Sequence, residues 1–224
     1  MEMDSPRTAS EIGERSLLIG YILASFDPAG LEARDRSSMI DAFRSALLAS
    51  DKELLFRGHW SHEVQQELFW QCECLHVLLW ATGRHADLFP VDRQVDSGLI
   101  VSELNVMSRD VSAWLASLAR RPASVLDRVD ERYDFWLWRT RSVAHVGRKV
   151  LPPFVRDAVN HHLATGTLSN EEVRDGDVVA FGRPFYTLSP PQLRGVADIV
   201  RERTRAIRWI GRRFDDWWSP NLDS

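Results

Sequence analysis

The chain has 224 residues, of which 44% are hydrophobic, and its formal net charge is −4. This content supports one sizeable hydrophobic core, and the slightly acidic balance argues against a nucleic-acid-binding protein, which normally presents a basic face. Two cysteines are too few for a disulfide framework and favour a reducing, cytoplasmic setting. The polar N-terminus lacks the apolar run of a signal peptide, and no apolar run reaches the roughly 18 residues that span a bilayer, so we expect no membrane association.

Apolar residues recur at helical spacing along most of the chain. Residues 1–9 are expected to form a disordered tail and residues 10–224 a single helical domain. Two short apolar runs on either side of Gly182-Arg183 predict a small β-hairpin near residues 178–188. The expected fold is therefore mainly α, a single-domain helical bundle around a central buried helix. Helices are predicted over residues 10–26, 31–49, 60–83, 109–118, 124–149, 152–165 and 190–214, and a loop or short helix is predicted over residues 92–104.

The stretch from Trp60 to Gly83 is the one predicted to form the central helix. It runs about six helical turns without a proline or an internal glycine. At about 100° per residue, one arc is apolar and the opposite arc carries Trp70, Val77 and Trp80. A helix with such residues on both sides usually has neighbours on both sides. We therefore expect this helix to be buried between others.

Three stretches carry a family resemblance. Residues 73–83 read ECLHVLLWATG, residues 182–189 read GRPFYTLS, and residues 199–210 read IVRERTRAIRWI. They resemble the E-x-L-x-x-L-L-W-A-x-G helix, the G-x-P-[FY]-x-x-L-S hairpin and the I-V-x-E-R-x-x-A-L-x-W-L helix of the bacterial domain-of-unknown-function family 4272. Trp217 with Leu222-Asp223-Ser224 resembles its closing W…D-[ST], and Arg15-Ser16-Leu17 its R-S-L. The resemblance implies the family fold and a polar set, but no activity. The set comprises Arg15, Glu73, Glu202 and Arg203.

The run Cys72-Glu73-Cys74-Leu75-His76 has the residue types of a metal site but not the geometry. On a helix, Cys72 and Cys74 lie about 200° apart and cannot hold one ion. Glu73 and His76 have the spacing found in di-iron bundles, yet the sequence contains no second Glu-x-x-His. The sequence also lacks a nucleophile elbow and a phosphate-binding loop. We therefore expect no metal and no cofactor.

Glu73 lies on the aromatic arc of the central helix, where a carboxylate without a partner would be costly. An arginine from a terminal helix is the natural partner, and Arg203 is favoured over Arg15. The favoured interpretation is a structural ion pair that fixes helix register. The alternative is a ligand-binding or catalytic acid in a cleft.

Arginines also line one face of the last predicted helix, at positions 201, 205, 208 and 212. A solvated face is the simpler interpretation, because cations are favourable toward a helix C-terminus. An RNA-binding face is the alternative. The acids and arginines of the helix predicted over 124–149 are likewise interpreted as a solvated face.

The function predicted from these patterns is non-catalytic protein binding, for example of the immunity type. Trp217 and Trp218 follow the last helix in an acidic segment, and two adjacent tryptophans on an extended segment cannot easily both face inward. They are the candidate partner-binding residues, and the alternative is that both cap the core. The competing function is a small-ligand binder or enzyme with a polar pocket around Glu73 and Arg203.

Overall fold

The computed structural model describes residues 5–26, 33–47, 61–146, 151–218 and 222 of the chain. Most of these residues are helical, so the prediction of a mainly α fold is confirmed. The parts of the predicted helices at residues 31–32, 48–49, 60 and 147–149 lie outside the described residues. The helices are α1 Ala9–Phe26, α2 Ala33–Ala46, α3 His62–Phe69, α4 Gln71–Ala81, α5 Ser97–Arg109, α6 Val111–Ala116, α7 Ala123–Val146, α8 Pro153–Ala164 and α9 Pro190–Ile210.

The long helix predicted over 60–83 is two helices in the structure. At Trp70 the backbone hydrogen bonds have the i→i−3 spacing of a 3₁₀-helix. The Trp70 N–H donates to Glu67 O at 3.2 Å, and the Glu73 N–H donates to Trp70 O at 3.0 Å. These i→i−3 bonds mark the end of α3 and the start of α4. The prediction of one continuous helix is therefore wrong at Trp70, where no proline or glycine marks the break.

Helix α4 is the central element of the fold. It packs against α1 and α9, and α9 also packs against α7. All of its residues except Cys72 are buried. The prediction of a central helix with neighbours on both sides is thus confirmed for α4. Each fully buried Leu, Val or Ile of such a core contributes about 1.5–3 kcal/mol.

Helix α9 begins as its sequence predicts. Ser189 stands at the N-cap and Pro190 at the first helical position. The Gln192 side chain accepts hydrogen bonds from the Ser189 N–H at 3.1 Å and the Ser189 hydroxyl at 2.9 Å. The cap fixes the start of α9, and the buried face of this helix packs against α4 and α7.

A small antiparallel sheet has the order β1-β2-β3, with β1 Val173–Arg174, β2 Asp177–Ala180 and β3 Arg183–Pro184. The predicted hairpin is confirmed as β2 and β3, and β1 is an additional strand. Both turns contain two residues with positive φ, Asp175 and Gly176 in one, Phe181 and Gly182 in the other. Asp-Gly is a typical signal for this turn type, so β1 could have been predicted.

The segment before α1 is tied to the end of α9. The Arg7 N–H donates to Ile210 O at 2.8 Å, and Arg7 Nε donates to Trp209 O at 2.9 Å. Arg7 is buried. The disordered tail predicted over residues 1–9 therefore does not extend to Arg7, and residues 1–4 lie outside the described part. Among the described helices, none is both long and apolar enough to cross a membrane.

Candidate functional site

Glu73 of α4 and Arg203 of α9 form a buried ion pair, and the predicted pairing is confirmed. Glu73 Oε2 accepts hydrogen bonds from Arg203 Nε and lies at the same distance, 2.8 Å, from Arg203 Nη2. Neither side chain is exposed to solvent. The other carboxylate oxygen, Oε1, accepts the Val95 N–H at 2.8 Å. Both oxygens of Glu73 are thus bonded within the protein.

The remaining donors of Arg203 hold the segment between α4 and α5. Nη1 donates to Phe89 O and, at 3.2 Å, to Pro90 O, while Nη2 donates to Arg93 O at 2.9 Å. With the Nε bond to Glu73, every nitrogen of the guanidinium thus donates to a protein oxygen. We call this unit, Glu73 and Arg203 with the backbone of residues 89–95, the Arg203 clamp.

Burial raises the pKa of the Glu73 carboxyl, while the Arg203 charge and the Val95 N–H oppose this by stabilising the carboxylate. Three hydrogen-bond donors aimed at the two oxygens favour the ionised form. Removing one partner would leave the other charge buried and unpaired, which typically costs about 3–5 kcal/mol. The geometry is that of a structural ion pair that joins two helices and a loop.

Glu202 precedes Arg203 but belongs to a different contact network. Its Oε2 accepts from Gln71 Nε2 at 3.4 Å and lies 2.9 Å from Arg205 Nη1. The Trp217 indole N–H in turn donates to Gln71 Oε1 at 3.0 Å. Trp217 is 1% exposed, so the prediction that it contacts a partner is wrong. Its indole fills the core and satisfies a buried amide.

Arg15 lies beside Trp209 and Trp217. Its guanidinium carbon is 5.2 Å from the centre of the Trp209 ring and 5.3 Å from that of Trp217. These distances place the cation against both aromatic faces. The family-like polar set therefore divides in two: Glu73 and Arg203 form the clamp, whereas Arg15 contacts Trp217 and Glu202 is linked to Trp217 through Gln71.

Trp218, unlike Trp217, is 39% exposed. The bond from Trp217 to Gln71 holds this segment at the start of α4, where Phe69 is 38% exposed. Asp216 in the Trp218 segment has an exposed carboxylate, whose Oδ1 accepts the Trp218 N–H at 3.0 Å. We call these three residues, Phe69, Asp216 and Trp218, the Trp218 face. Aromatic residues are enriched at protein–protein interfaces.

A buried histidine pair lies against the clamp. His76 Nδ1 and His85 Nδ1 are 2.8 Å apart, and the Phe89 N–H donates to His76 Nε2 at 3.2 Å. Burial, helped by the Arg203 charge and by His85, lowers the pKa of His76 to about 3. Sequence reasoning missed this pair because the two histidines meet only after the chain reverses at Gly83.

The thiols are not arranged for chemistry. Cys74 is buried and its Sγ–H donates to Glu202 O at 3.2 Å, and Cys72 is half-buried. Burial and the adjacent Glu73 charge raise the pKa of Cys72 to about 12, which leaves it protonated at neutral pH. Within the described ranges, no group of three or more His, Cys, Asp or Glu side chains could hold a metal ion.

A second buried ion pair joins α7 to the sheet. Arg139 Nε donates to Asp177 Oδ1 at 2.8 Å and Arg139 Nη2 donates to Oδ2 at 2.6 Å, with both side chains 1% exposed or less. The Tyr186 N–H also donates to Oδ2, at 2.9 Å. The interpretation of the arginines of α7 as a solvated face is therefore wrong for Arg139.

The four arginines on one face of the last predicted helix, at positions 201, 205, 208 and 212, also form ion pairs within the protein. Arg208 is buried, bonds to Asp134 of α7, and donates to Leu222 O at 3.0 Å. Arg205 is paired with Glu202. The predicted solvated face is wrong for Arg208. The alternative of an RNA-binding stripe is weakened because all four of its arginines have carboxylate partners, Arg201 with Glu202 and Arg212 with Glu11.

The family match covers most of the chain. The model of the domain of unknown function DUF4272 matches residues 2–164, so the chain belongs to this family. The matched region includes Arg15 and Glu73, while Glu202, Arg203 and the two tail tryptophans lie beyond it. No curated protein and no solved structure matches the chain.

Proposed function

We propose that this chain is a non-catalytic protein-binding module. The observation that carries the proposal is the bonding of the Arg203 clamp: all three guanidinium nitrogens of Arg203 and both carboxylate oxygens of Glu73 are hydrogen-bonded to protein atoms. A site that binds or converts a small molecule needs polar groups directed at that molecule. Here the central polar groups stabilise the fold, so the function is assigned to the surface.

The Trp218 face is the surface that we assign to the partner. Tryptophan is among the residues that contribute most to protein–protein binding. The exposed part of Trp218, roughly 100 Å² of a large side chain, would contribute about 2–3 kcal/mol if a partner covered it. The carboxylate of Asp216 favours a partner whose apolar pocket is bordered by Lys or Arg.

An immunity-type protein, which binds and blocks a toxin, is one class that fits an acidic aromatic surface without catalytic residues. The two free thiols and the acidic net charge agree with action in the cytoplasm. The alternative function, a ligand binder or enzyme with a pocket around Glu73 and Arg203, would require the ligand to replace backbone carbonyls that Arg203 now contacts.

The experiment places a photo-crosslinking phenylalanine analogue at position 218 in the native host. A matched control places the same analogue at Phe154, which is 48% exposed on α8. A protein crosslinked only from position 218 is then purified and titrated calorimetrically against the wild type and the Trp218→Ala variant. We expect Trp218→Ala to weaken binding roughly 30- to 150-fold, in line with a contribution of about 2–3 kcal/mol.

Two results would contradict the proposal. One is a crosslinked protein that binds the wild type and Trp218→Ala equally well. The other is a metabolite that copurifies with the wild type and is lost from a folded Glu73→Gln variant. The second result would favour the pocket function, because it would place a ligand at the Arg203 clamp.

A further inference from the structure

The protonation state of the buried histidine pair is fixed by its hydrogen bonds. His76 Nε2 accepts the Phe89 N–H, so it carries no proton. The proton of a neutral His76 is then on Nδ1, which donates to His85 Nδ1 at 2.8 Å. His85 accordingly holds its own proton on Nε2, which is buried without a partner among the described residues.

Every acceptor nitrogen of this pair is in use, so an added proton must break a bond. If His85 Nδ1 takes the proton, it becomes a donor and faces the Nδ1–H of His76. His76 can accept this bond only if its own proton moves from Nδ1 to Nε2. The new Nε2–H then faces the Phe89 N–H, and two donors cannot bond to each other.

The charges around the pair determine which histidine protonates first. Arg203 from α9 faces His76, and its positive charge disfavours a second cation there. Glu103 from α5 favours a cation at His85, while Arg84 opposes it. Glu103 is shared with Arg84 at 2.8 Å and with the Trp114 indole N–H at 2.9 Å. His85 is therefore the entry point for the proton.

The remaining groups near the pair hold other parts of the same segment. Glu73, one turn before His76 on α4, is bonded to Arg203 and to the Val95 N–H. Arg121 donates to His85 O at 3.0 Å. None of these hydrogen bonds uses an imidazole nitrogen as its acceptor, so protonation of the histidine pair leaves their acceptors in place. The hydrogen bond that protonation breaks is the one from the Phe89 N–H to His76 Nε2.

We propose that His76 and His85 form an acid-sensitive latch that holds residues 85–89 against α4 only while both imidazoles are neutral. The latch goes beyond partner binding and does not depend on it. Asp92, three residues after Phe89, accepts the Phe181 N–H of the β2–β3 turn. Opening the latch would therefore loosen a segment that links the central helix to the hairpin.

The test is residue-resolved amide hydrogen exchange of the full chain by NMR between pH 7.5 and 5.0, corrected for intrinsic exchange rates. The Phe89 amide should lose protection as the pH falls, by up to tenfold per pH unit for one proton taken up on opening. The Val95 amide, bonded to Glu73 in the same segment, is the internal control and should retain its protection.

A matched pair of variants isolates the imidazole. In His76→Gln the amide oxygen can accept the Phe89 N–H but cannot titrate, so Phe89 protection should become independent of pH. His161→Gln removes an exposed histidine of α8 and should leave the wild-type profile unchanged. Nitrogen chemical shifts of the imidazoles give a readout without any variant: wild-type His76 should carry its proton on Nδ1 at pH 7.5.

Three outcomes would overturn the latch. Phe89 and Val95 could lose protection together at every pH, which would indicate opening of the whole segment. The His76→Gln variant could keep the wild-type pH dependence at Phe89. Wild-type His76 could carry its proton on Nε2 at pH 7.5, which is incompatible with accepting the Phe89 N–H.

Discussion

Arg203 and Glu73 are 130 residues apart in sequence, yet the Nε of one lies 2.8 Å from the Oε2 of the other with both side chains excluded from solvent. The guanidinium joins α9 to α4 and at the same time bonds three carbonyls of the segment that follows α4. A single arginine thus satisfies a buried carboxylate and fixes the path of a loop.

The first prediction tests the coupling within this pair. Glu73→Gln and Arg203→Met should each lower the free energy of unfolding by about 3–5 kcal/mol, because each leaves an unpaired charge or unsatisfied polar group in the core. In a double-mutant cycle measured by urea unfolding, the coupling energy should be about 1 kcal/mol or more. Strictly additive losses would show that the two side chains stabilise the protein independently.

The second prediction concerns the Arg139–Asp177 pair. Arg139→Met should also cost about 3–5 kcal/mol, since Asp177 would remain buried with only backbone N–H partners. The matched control is Arg132→Met, whose partner Glu172 and own side chain are partly exposed, with an expected loss of about 0–1 kcal/mol. Equal losses for the two variants in thermal or urea unfolding would refute the assignment of Arg139 as a buried structural cation.

Two glycines differ in backbone conformation but not in available space. A Cβ at Gly182 or at Gly195 would meet no atom within 4 Å, yet φ at Gly182 is +67° while Gly195 lies inside α9. Gly182→Ala should therefore lower the free energy of unfolding by about 1 kcal/mol. Gly195→Ala should raise it by about 0.5–1 kcal/mol, because alanine restricts the unfolded chain and favours helix.

The two glycine variants should thus change stability in opposite directions, which can be read from urea midpoints measured side by side. A loss of stability in Gly195→Ala would indicate that position 195 has crowded neighbours. An unchanged midpoint in Gly182→Ala would indicate that the turn does not require positive φ.

The fourth prediction is the pH dependence that His76 imposes on global stability. Its pKa is lowered from 6.5 to about 3 by burial, by Arg203 and by His85. Between these values the unfolded state binds a proton that the folded state does not, so stability falls as the pH falls. The loss is up to about 1.4 kcal/mol per pH unit, or about 2 kcal/mol between pH 7 and 5.

Comparison of the wild type with His76→Gln isolates this contribution from that of the carboxylates. The free energy of unfolding of the variant, from urea titrations at pH 7.5, 6.5, 5.5 and 5.0, should fall less steeply with decreasing pH. Parallel curves for the two proteins would mean that His76 titrates in the folded state near its ordinary pKa.

The sequence predicts those parts of the fold that local periodicity or a single strong physical requirement determines. The helices follow from apolar spacing, and the Glu73–Arg203 pair follows from the cost of burying a carboxylate alone. The break at Trp70 has no local signal, because the i→i−3 bonds form without proline or glycine. Strand β1 did have a signal, since Asp175-Gly176 is a typical two-residue hairpin turn.

The contacts that sequence reasoning missed depend on tertiary structure. Arg139 and Asp177 are 38 residues apart and belong to segments whose charges resemble those of ordinary surface helices and loops. The His76–His85 bond requires the reversal after α4, and the exposures of Trp217 and Trp218 depend on the indole bond to Gln71. Periodicity shows which helix face is apolar but not which charged residue on the other face is covered by a neighbour.

We propose that the chain acts through its surface, with the Arg203 clamp stabilising the fold that presents it. The most direct measurement is calorimetric titration of the partner crosslinked from position 218 against folded Trp218→Ala and Glu73→Gln variants under conditions where both are native. We predict that Glu73→Gln binds with wild-type affinity and that Trp218→Ala binds roughly 30- to 150-fold more weakly. The opposite pattern, with binding lost in Glu73→Gln and kept in Trp218→Ala, would show that the partner binds at the clamp and not at the Trp218 face.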